Sequence, residues 1–409
     1  MHEFRDFDFK KDQKAAHRIW REINWIESGD EEKLLDAFLK EGRAMVADIN
    51  GEAECLVTAN PSELRYQKKD LNLSVVTSVG TSRIARKQGL AKRLTARVIA
   101  HEAEDGAIVS TLGIFEQGFY NQLGYGGGSY EHWVSFDPAD LRVNRKFETP
   151  RRLDKRDWKL VMDSLHKRQK MHGAVTLLPV NIAEAELGWT ENGFGLGYMN
   201  EGGELTHFFW GKIKGENGPM NIQVMAYRNF DQFLELMAVM KSLGDQIRLV
   251  DMREPAGIQM QDLIESPFRK RIITNKAEFE HRNRANAYWQ TRICDVAACV
   301  AASSFKAGTV SFNLELSDPI EQILDGNSKW KGCGGEYTIR FGPECSASRG
   351  FTDGLPVLTA DIGAFTRLWL GVRPATGLSV TDNLSGPEDL LAVLDDIVLL
   401  PQPHPDWDY

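Results

Sequence analysis

The sequence predicts an α/β protein with two tandem units built on mixed sheets, followed by a third α/β unit. Strand and helix patterns alternate along most of the chain, and a strand–helix–strand order occurs twice. The 409 residues are enough for two to four domains of roughly 100–200 residues each. An apolar fraction of 42% and a charged fraction of 26% are typical of folded, soluble chains.

Charge and hydropathy exclude two classes of partner. The formal net charge is −9, whereas nucleic-acid binders show a basic excess or stripe. Every apolar run is shorter than the 18 residues that a membrane span needs. The first twelve residues, MHEFRDFDFKKD, are too charged for a signal peptide. We therefore expect neither a nucleic acid nor a membrane as partner.

The cysteines indicate reduced thiols. The chain has five of them, without a Cys-x-x-Cys pair: Cys55, Cys294, Cys299, Cys333 and Cys345. This scatter predicts a cytoplasmic protein with neither a disulfide framework nor a zinc site. His101-Glu102 begins like a zinc-binding helix, but Asp105 stands where the second histidine would be, so we expect no metal.

The first segment, residues 1–142, has the clearest pattern. Its predicted elements are a helix at 12–24, a hairpin turning at Asn50-Gly51, a strand at 71–80, a helix at 89–106, a strand at 107–114, and a helical turn and glycine break before a strand ending at 136. If the strands at 71–80 and 107–114 are parallel neighbours, the helix between them is a right-handed crossover.

The second segment, residues 143–287, repeats the order in a weaker form. It predicts an amphipathic helix at 151–169, a strand at 220–228, a helix from Asn229 as N-cap, and a strand at 247–255. The third segment, residues 288–409, predicts helices at 289–302, 356–371 and 386–400, hairpin strands at 310–318 and 336–350, and an extended proline-rich tail.

The strand-to-helix corner at Arg86-Lys87-Gln88-Gly89-Leu90-Ala91 points to chemistry. A helix start offers unpaired N–H donors and a partial positive charge, which together suit a pyrophosphate. Gly89 lets the backbone approach a ligand, and Arg86 and Lys87 add charge. A solvated basic helix start would give the same residues, and short glycine motifs also occur by chance. The valine-rich strand before it and the apolar helix face after it favour the phosphate site.

VGTSRIARKQGLA (79–91) and FYNQLGYG (119–126) together resemble the GCN5-related N-acetyltransferases, or GNAT family. In that family an Arg-x-x-Gly-x-Ala loop holds the pyrophosphate of acetyl-CoA. The wider layout resembles the enhanced-intracellular-survival (Eis-type) subgroup, helped by TRICDV at 291–296. This resemblance implies an active acetyltransferase domain at 1–142, a degenerate one at 143–287, and a sterol-carrier-like domain at 288–409.

The resemblance also implies roles for individual residues. The backbone of Val79 and Thr81 would bind the pantetheine arm at a strand bulge. The pyrophosphate loop would consist of Arg86, Lys87, Gly89 and Ala91. Tyr120 would be the general acid for the leaving thiolate, and the C-terminal carboxylate of Tyr409 would assist deprotonation of the amine.

Each of these two tyrosines also has a simpler explanation. Tyr120 could be an aromatic core residue, and Tyr409 could belong to a frayed chain end. Phe115 departs from the family, which often has a small hydroxyl residue five positions before the tyrosine. That departure affects the contacts expected near the acetyl group.

Trp25 and Glu27 are candidates for binding a cationic amine, through cation–π contact and charge. The acids from 27 to 31 could equally form the solvated start of a helix capped by Ser28 or Asp30. In the second segment, AYRNFDQF (226–233) lacks the glycine of the phosphate loop, so we expect no CoA there.

These observations predict an N-acetyltransferase that moves an acetyl group from acetyl-CoA to an amine, such as an aminoglycoside-like compound, a polyamine or a lysine-type amine. No cysteine is near the motif in the sequence, which favours direct transfer without an acyl-enzyme. The alternatives are a carrier that holds an apolar ligand in the third segment, and a CoA-binding regulator without turnover. The Eis-type resemblance further implies a trimer or hexamer.

Overall fold

The computed structural model describes residues 2–27, 29–116, 118–274 and 277–407. Packing groups the chain into two compact units. The first combines residues 1–129, 172–179 and 287–409, and the second combines residues 130–171 and 180–286. The first and third predicted segments thus lie within one unit. The domain boundaries given above, including the separate third domain, remain a prediction.

The described residues form ten α-helices, several of them begun by an Asp or Asn N-cap. In chain order they are α1 (Phe9–Glu22), α2 (Asp30–Leu39), α3 (Leu90–Glu104), α4 (Trp158–His166), α5 (Ile182–Trp189), α6 (Phe230–Ser242), α7 (Val296–Ala302), α8 (Ile362–Trp369), α9 (Ala375–Thr381) and α10 (Glu388–Ile397). The predicted helix at 151–169 is shorter than expected, since a strand occupies its beginning.

The same residues form 22 strands, most of them short. They are β1 (His2–Asp6), β2 (Arg43–Ile49), β3 (Glu52–Tyr66), β4 (Lys69–Thr81), β5 (Val109–Gly113), β6 (Gly126–Gly127), β7 (Glu131–Phe136), β8 (Arg151–Leu153), β9 (Val175–Leu177), β10 (Phe194–Met199), β11 (Leu205–Ile213), β12 (Met220–Ala226), β13 (Val250–Arg253), β14 (Lys270–Thr274), β15 (Ala277–Glu280), β16 (Arg282–Asn286), β17 (Trp289–Ile293), β18 (Val310–Ser317), β19 (Gly335–Phe341), β20 (Ser346–Arg349), β21 (Val357–Asp361) and β22 (Leu384–Ser385).

The main sheet of the first unit has the order β1-β2-β3-β4-β5-β17-β6, and β9 pairs with β3. The predicted hairpin between β2 and β3 is confirmed, and Asn50 and Gly51 both have positive φ, as a type I′ turn requires. Strands β4 and β5 are parallel neighbours, as expected for a crossover through α3. The core between α3 and this sheet contains Leu90, Leu94 and Val98, all almost fully buried.

Strand β17 corrects a sequence prediction, because the helix expected at 289–302 begins only at Val296. Residues Trp289–Ile293 form a strand that pairs with β5 on one side and β6 on the other. All five side chains are buried, so this strand shows no polar alternation to distinguish it from a helix. Similarly, the predicted helix at 356–371 is strand β21 followed by α8, with Asp361 capping the helix.

The third segment also forms a second sheet of the first unit, with the order β20-β19-β18-β21-β22. Its inner face is filled with aromatic rings. The ring of Phe341 lies 5.0 Å from that of Phe305 and 5.5 Å from that of Phe312. Trp369 in α8 is fully buried and stacks on Tyr66 of β3 at 4.2 Å. This packing ties the third segment to the main sheet.

The second unit repeats the central motif of the first. Its seven-stranded sheet has the order β16-β7-β13-β12-β11-β10-β8, and β14 pairs with β15. Strands β12 and β13 are parallel and are joined through α6, as β4 and β5 are joined through α3. In both units the parallel strands pair over only three residues. The α/β fold class with two tandem units of this kind is thus confirmed.

Candidate active site

The candidate site lies where β4 and β5 stop pairing with each other. Their pairing covers Leu73–Val75 and Val109–Thr111, although β4 continues to Thr81. On the other edge of β4, one extra residue interrupts the pairing with β3 between the pairs Thr58–Thr77 and Leu56–Gly80. The bulge includes Ser78, whose φ of 54° is unusual for a residue with a side chain.

The expected bulge is therefore present in β4 at Ser78 and Val79, and Thr81 follows it in register with Cys55. The two residues considered for ligand binding are Val79 and Thr81. Both residues are partly buried, and their strand has left β5 by this point. A strand edge without a strand partner presents backbone N–H and C=O groups that a ligand can pair with. This stretch can accommodate an extended, amide-containing molecule.

Gly89, the N-cap of helix α3, has a φ of 73°. A Cβ atom added there would meet no other atom within 4 Å, so the backbone conformation, and not crowding, favours glycine. The N-cap contributes no side-chain hydrogen bond, and the first turn contains no acidic residue. The helix start is thus open and positive, which fits a pyrophosphate.

The residues before the helix start are exposed. Arg86 and Lys87 both face solvent, and Lys87 has a positive φ of 61°. Lys87 and Gly89 therefore both have positive φ in this loop, and turn conformations of this kind occur in anion-binding concavities. Ala91, in the first turn of α3, packs against the core beneath this loop.

Tyr120 is almost fully buried, with 6% of its surface exposed, at the start of a short 3-10 turn (Tyr120–Leu123). Its ring lies edge-on to Phe119 at 4.9 Å. Burial raises the pKa of its phenol to about 12. The phenol is therefore a protonated donor at neutral pH.

Two observations bring the Tyr120 turn and the start of α3 together. Lys92 Nζ, in the first turn of α3, donates a hydrogen bond of 3.0 Å to Gln122 Oε1 in the turn. Leu90, Tyr120 and Leu123 also belong to one buried core cluster. The two motifs recognised in the sequence thus share one corner of the first unit.

The proposed amine-binding residues lie after α1. Trp25 is 42% exposed, and its ring lies 5.2 Å from that of Trp20. Glu27 is exposed, and its N–H donates to Glu31 Oε2 at 2.5 Å. The predicted cap at Asp30 is wrong, because Gly29 is the N-cap of α2, and Ser28 lies outside the described residues. The helix start rich in acidic residues, which was the alternative explanation for the acids from 27 to 31, is present at the beginning of α2.

The end of α1 is tied to the loop that precedes the phosphate motif. Glu22 accepts a hydrogen bond of 2.6 Å from the Arg83 N–H. In this loop Ile84 is 72% exposed, and Phe115 after β5 is 88% exposed. The family departure at Phe115 therefore places a large apolar side chain in solvent beyond the end of β5.

The tail packs on the first unit as far as Trp407, which is 3% exposed. The His404 N–H donates to the carbonyl of His172 at 2.9 Å. The Ser129 hydroxyl, which follows β6, donates to the carbonyl of Pro403. The tail is thus not frayed over this stretch. Tyr409 itself lies outside the described residues, and its role remains a prediction.

The structure places a cysteine near the motif, although none is close to it in the sequence. Cys55 is distant from the motif in sequence, yet its Sγ lies 3.3 Å from Thr81 Oγ1, because β3 pairs with β4. Burial raises the pKa of this thiol to about 11. All five cysteines are free.

Sequence reasoning also missed the polar pair of Lys92 and Gln122 and the strained Ser78. In the described ranges, no group of three or more histidine, cysteine or acidic side chains is arranged to hold a metal ion. Among those same residues, no helix has both the length and the apolar character needed to cross a membrane.

Comparison with known proteins agrees with this geometry. Residues 9–128 match the family model described as an acetyltransferase (GNAT) domain. No curated protein sequence matches the chain.

Several solved structures share the fold over its whole length. One is a probable N-acyltransferase from Enterococcus faecalis V583, at 17% identity and a TM-score of 0.81, with all of both chains covered. A GCN5-related N-acetyltransferase from Kribbella flavida has 16% identity and a TM-score of 0.76, with 100% of this chain and 99% of that chain covered. Eis1 from Mycobacterium abscessus has 16% identity and a TM-score of 0.75, with both chains fully covered. Residues 9–128 are therefore similar to the acetyltransferase (GNAT) domain, and the whole chain has the fold of proteins that include Eis1.

Proposed function

We propose that this protein transfers an acetyl group from acetyl-CoA to the nitrogen of an amine. The observation that carries the proposal is the uncapped, positive start of α3, which lies in the same corner as the buried Tyr120. The GNAT match supports an acyltransferase, and the particular donor and acceptor are our inference.

The residues of this corner would divide the binding of CoA between them. The backbone of Val79 and Thr81 would pair with the amides of pantetheine along the free edge of β4. The pyrophosphate would be held by the loop and helix start, through Arg86, Lys87, Gly89 and Ala91. Hydrogen bonds to charged groups contribute about 1.5–3 kcal/mol each, so a few suffice to anchor the donor.

Tyr120 would act as the proton donor when the carbon–sulfur bond breaks. A phenol pKa of about 12 lies roughly 3.5 pKa units above that of a thiol near 8.5, so full transfer to the free thiolate is uphill. The phenol would therefore stabilise the departing sulfur by donating a hydrogen bond. The proton that the attacking nitrogen loses would balance the charge of the thiolate through solvent.

The acceptor would bind between the exposed Trp25 and the carboxylate of Glu27, an arrangement suited to a cationic amine. The carboxylate of Tyr409 would orient this ammonium and relay its proton through water. A carboxylate with a pKa of about 3.3–3.7 is too weak a base to do so alone. The tail is packed on the first unit up to Trp407, so its end is held by the fold.

Direct attack by the amine remains our proposed route, despite the nearby Cys55. At neutral pH a thiol with a pKa of about 11 is almost entirely protonated, and so it is a poor nucleophile. We further propose a cytoplasmic trimer or hexamer, which sedimentation of the purified protein would measure.

Thiol release from acetyl-CoA tests the function. We expect one or more members of a panel of aminoglycosides, polyamines and lysine peptides to accelerate release. Tyr120→Phe should lower kcat about 10²-fold or more while CoA still binds, because a positioned acid typically contributes 10²–10⁴-fold. Unchanged turnover in Tyr120→Phe would remove the phenol from the mechanism. If no amine of the panel accelerates thiol release, the proposed N-acetyltransferase activity is contradicted.

Arg86→Ala should raise the Kd for CoA about tenfold in calorimetry, because the loop loses a charged hydrogen-bond donor. Arg93→Ala is the matched control. Its guanidinium also belongs to the start of α3, but it lies 5.0 Å from the centre of the Phe4 ring. Equal affinity in Arg86→Ala and the wild type would contradict the pyrophosphate assignment.

The pH dependence of kcat should reflect the raised pKa of Tyr120. The protonated phenol is the active form, so raising its pKa from 10.0 to about 12 extends activity toward alkaline pH. We therefore expect no loss of kcat up to about pH 10 at saturating substrates. An alkaline decline at or below pH 10 that disappears in Tyr120→Phe would argue against this assignment.

Removing the last two residues should lower kcat about 10²-fold with little change in CoA affinity, since the relay of the amine proton is lost. Tyr409→Ala is the control, because it keeps a terminal carboxylate at the same position. Full activity in the truncated chain would exclude the tail from catalysis.

A further inference from the structure

The turn that contains Tyr120 is fastened to the third segment by a buried ion pair. Arg292 of β17 and Asp318 are both fully buried, and Arg292 Nη2 lies 2.6 Å from Asp318 Oδ2. The other terminal nitrogen, Nη1, donates to the carbonyl of Leu123, the last residue of the turn. The guanidinium of Arg292 therefore links the Tyr120 turn to the carboxylate of Asp318.

Asp318 is fixed in turn by its own neighbours. Its Oδ2 accepts a hydrogen bond of 2.9 Å from the Cys333 N–H, and its Oδ1 accepts from the Ile320 N–H. Trp330 lies over the guanidinium, with its ring centre 5.1 Å from Arg292 Cζ. The ion pair is thus held in place by backbone and ring contacts.

The turn leaves no space for a side chain at Gly124. Gly124 ends the turn with a φ of 82°. A Cβ atom there would lie 2.9 Å from both Arg292 Nη1 and Asp318 Oδ1, and 2.6 Å from Ile362. Glycine is therefore needed here both for its conformation and for the close approach of the ion pair.

The same strand contacts the turn a second time. Gln290 of β17 is 1% exposed, and its Nε2 lies 3.4 Å from Asn121 Oδ1. Asn121 Nδ2 donates to the carbonyl of Tyr125 at 3.0 Å. Strand β17 thus contacts the residue after Tyr120 and the end of the turn.

A buried ion pair is costly, and an apolar pair of similar volume is often as stable. Stability alone therefore does not account for two charges at this position. We propose that Arg292 and Asp318 are positioning residues, which hold the 3-10 turn so that the Tyr120 phenol faces the acetyl-transfer site. This inference rests on the proposed function, and it assigns the third segment a role in catalysis.

The test replaces the pair by apolar residues, in Arg292→Met/Asp318→Leu. This variant should keep its Kd for CoA, because the phosphate loop is untouched. Its melting temperature should fall, because the N–H groups of Ile320 and Cys333 lose their carboxylate acceptor. We expect kcat to fall about tenfold with KM unchanged, since the phenol is displaced from its working position. Full kcat in this variant would overturn the proposal.

A second background separates positioning from general damage. In Tyr120→Phe, the same double replacement should change kcat less than about twofold, because effects on one functional unit are not additive. An equal loss of kcat in both backgrounds would contradict action through Tyr120. The control is Arg43→Met/Glu102→Leu, which removes an ion pair of 2.7 Å near the far end of α3 and should leave kcat unchanged.

Amide hydrogen exchange tests the turn without any activity. The Gly124 N–H donates to Asn121 and the Tyr125 N–H to Tyr120, both within the turn. Their exchange should accelerate in Arg292→Met/Asp318→Leu and not in the control. Unchanged exchange in the double variant would overturn the inference. If exchange accelerates as expected but the wild-type protein shows no turnover, only the proposed function is refuted.

If the double replacement does not fold, Arg292→Lys serves instead. Lysine keeps the charge opposite Asp318 but has a single nitrogen, so it cannot also reach the Leu123 carbonyl in the fork geometry. Faster exchange at Gly124 and a lower kcat are again expected. Wild-type values for both would refute the positioning role.

Discussion

The parting of β4 and β5 is the constraint on which the site depends. Two parallel strands that stayed paired to their ends would use the backbone groups that a ligand needs. Here the pairing ends at Val75 and Thr111, and the bulge at Ser78 redirects the rest of β4. The strand β17 pairs with β5 on its other edge, and β3 pairs with β4 as far as Thr81, so both strands remain in the sheet while they separate from each other. The opening is therefore built by the sheet itself.

The second unit has a similar opening but a different helix start. Strands β12 and β13 also pair over three residues, and β12 has an extra residue opposite Trp210 and Gly211. However, the N-cap of α6 is Asn229, whose side chain accepts a hydrogen bond of 3.0 Å from the Gln232 N–H. Asp231 adds a negative charge to the first turn. The donors and the positive potential that are free at Gly89 are thus capped or opposed here, which agrees with our expectation that this unit binds no CoA.

Local patterns sufficed to predict much of this fold. The Asn50-Gly51 turn, the strand before Arg86 and the helix after Gly89 were all predictable, because turn residues and apolar periodicity act over a few neighbours. The prediction failed for β17, since a strand buried on both faces has no alternation. It also missed Cys55 beside Thr81, because their proximity comes from strand pairing across the sheet. The roles carried over from the family depend on such long-range contacts and could not be obtained from spacing.

The position of β17 shows a structural role of the third segment that the sequence did not predict. This segment supplies the strand between β5 and β6, and through it the polar contacts of Gln290 and Arg292 with the Tyr120 turn. The segment that matches the GNAT domain, residues 9–128, thus lacks by itself the strand that pairs with the second edge of β5. Without β17, β5 would be an exposed edge strand, and the Tyr120 turn would lose its contacts with Gln290 and Arg292. The geometry of Tyr120 is therefore a property of the first unit, including the third segment, and not of residues 9–128 alone.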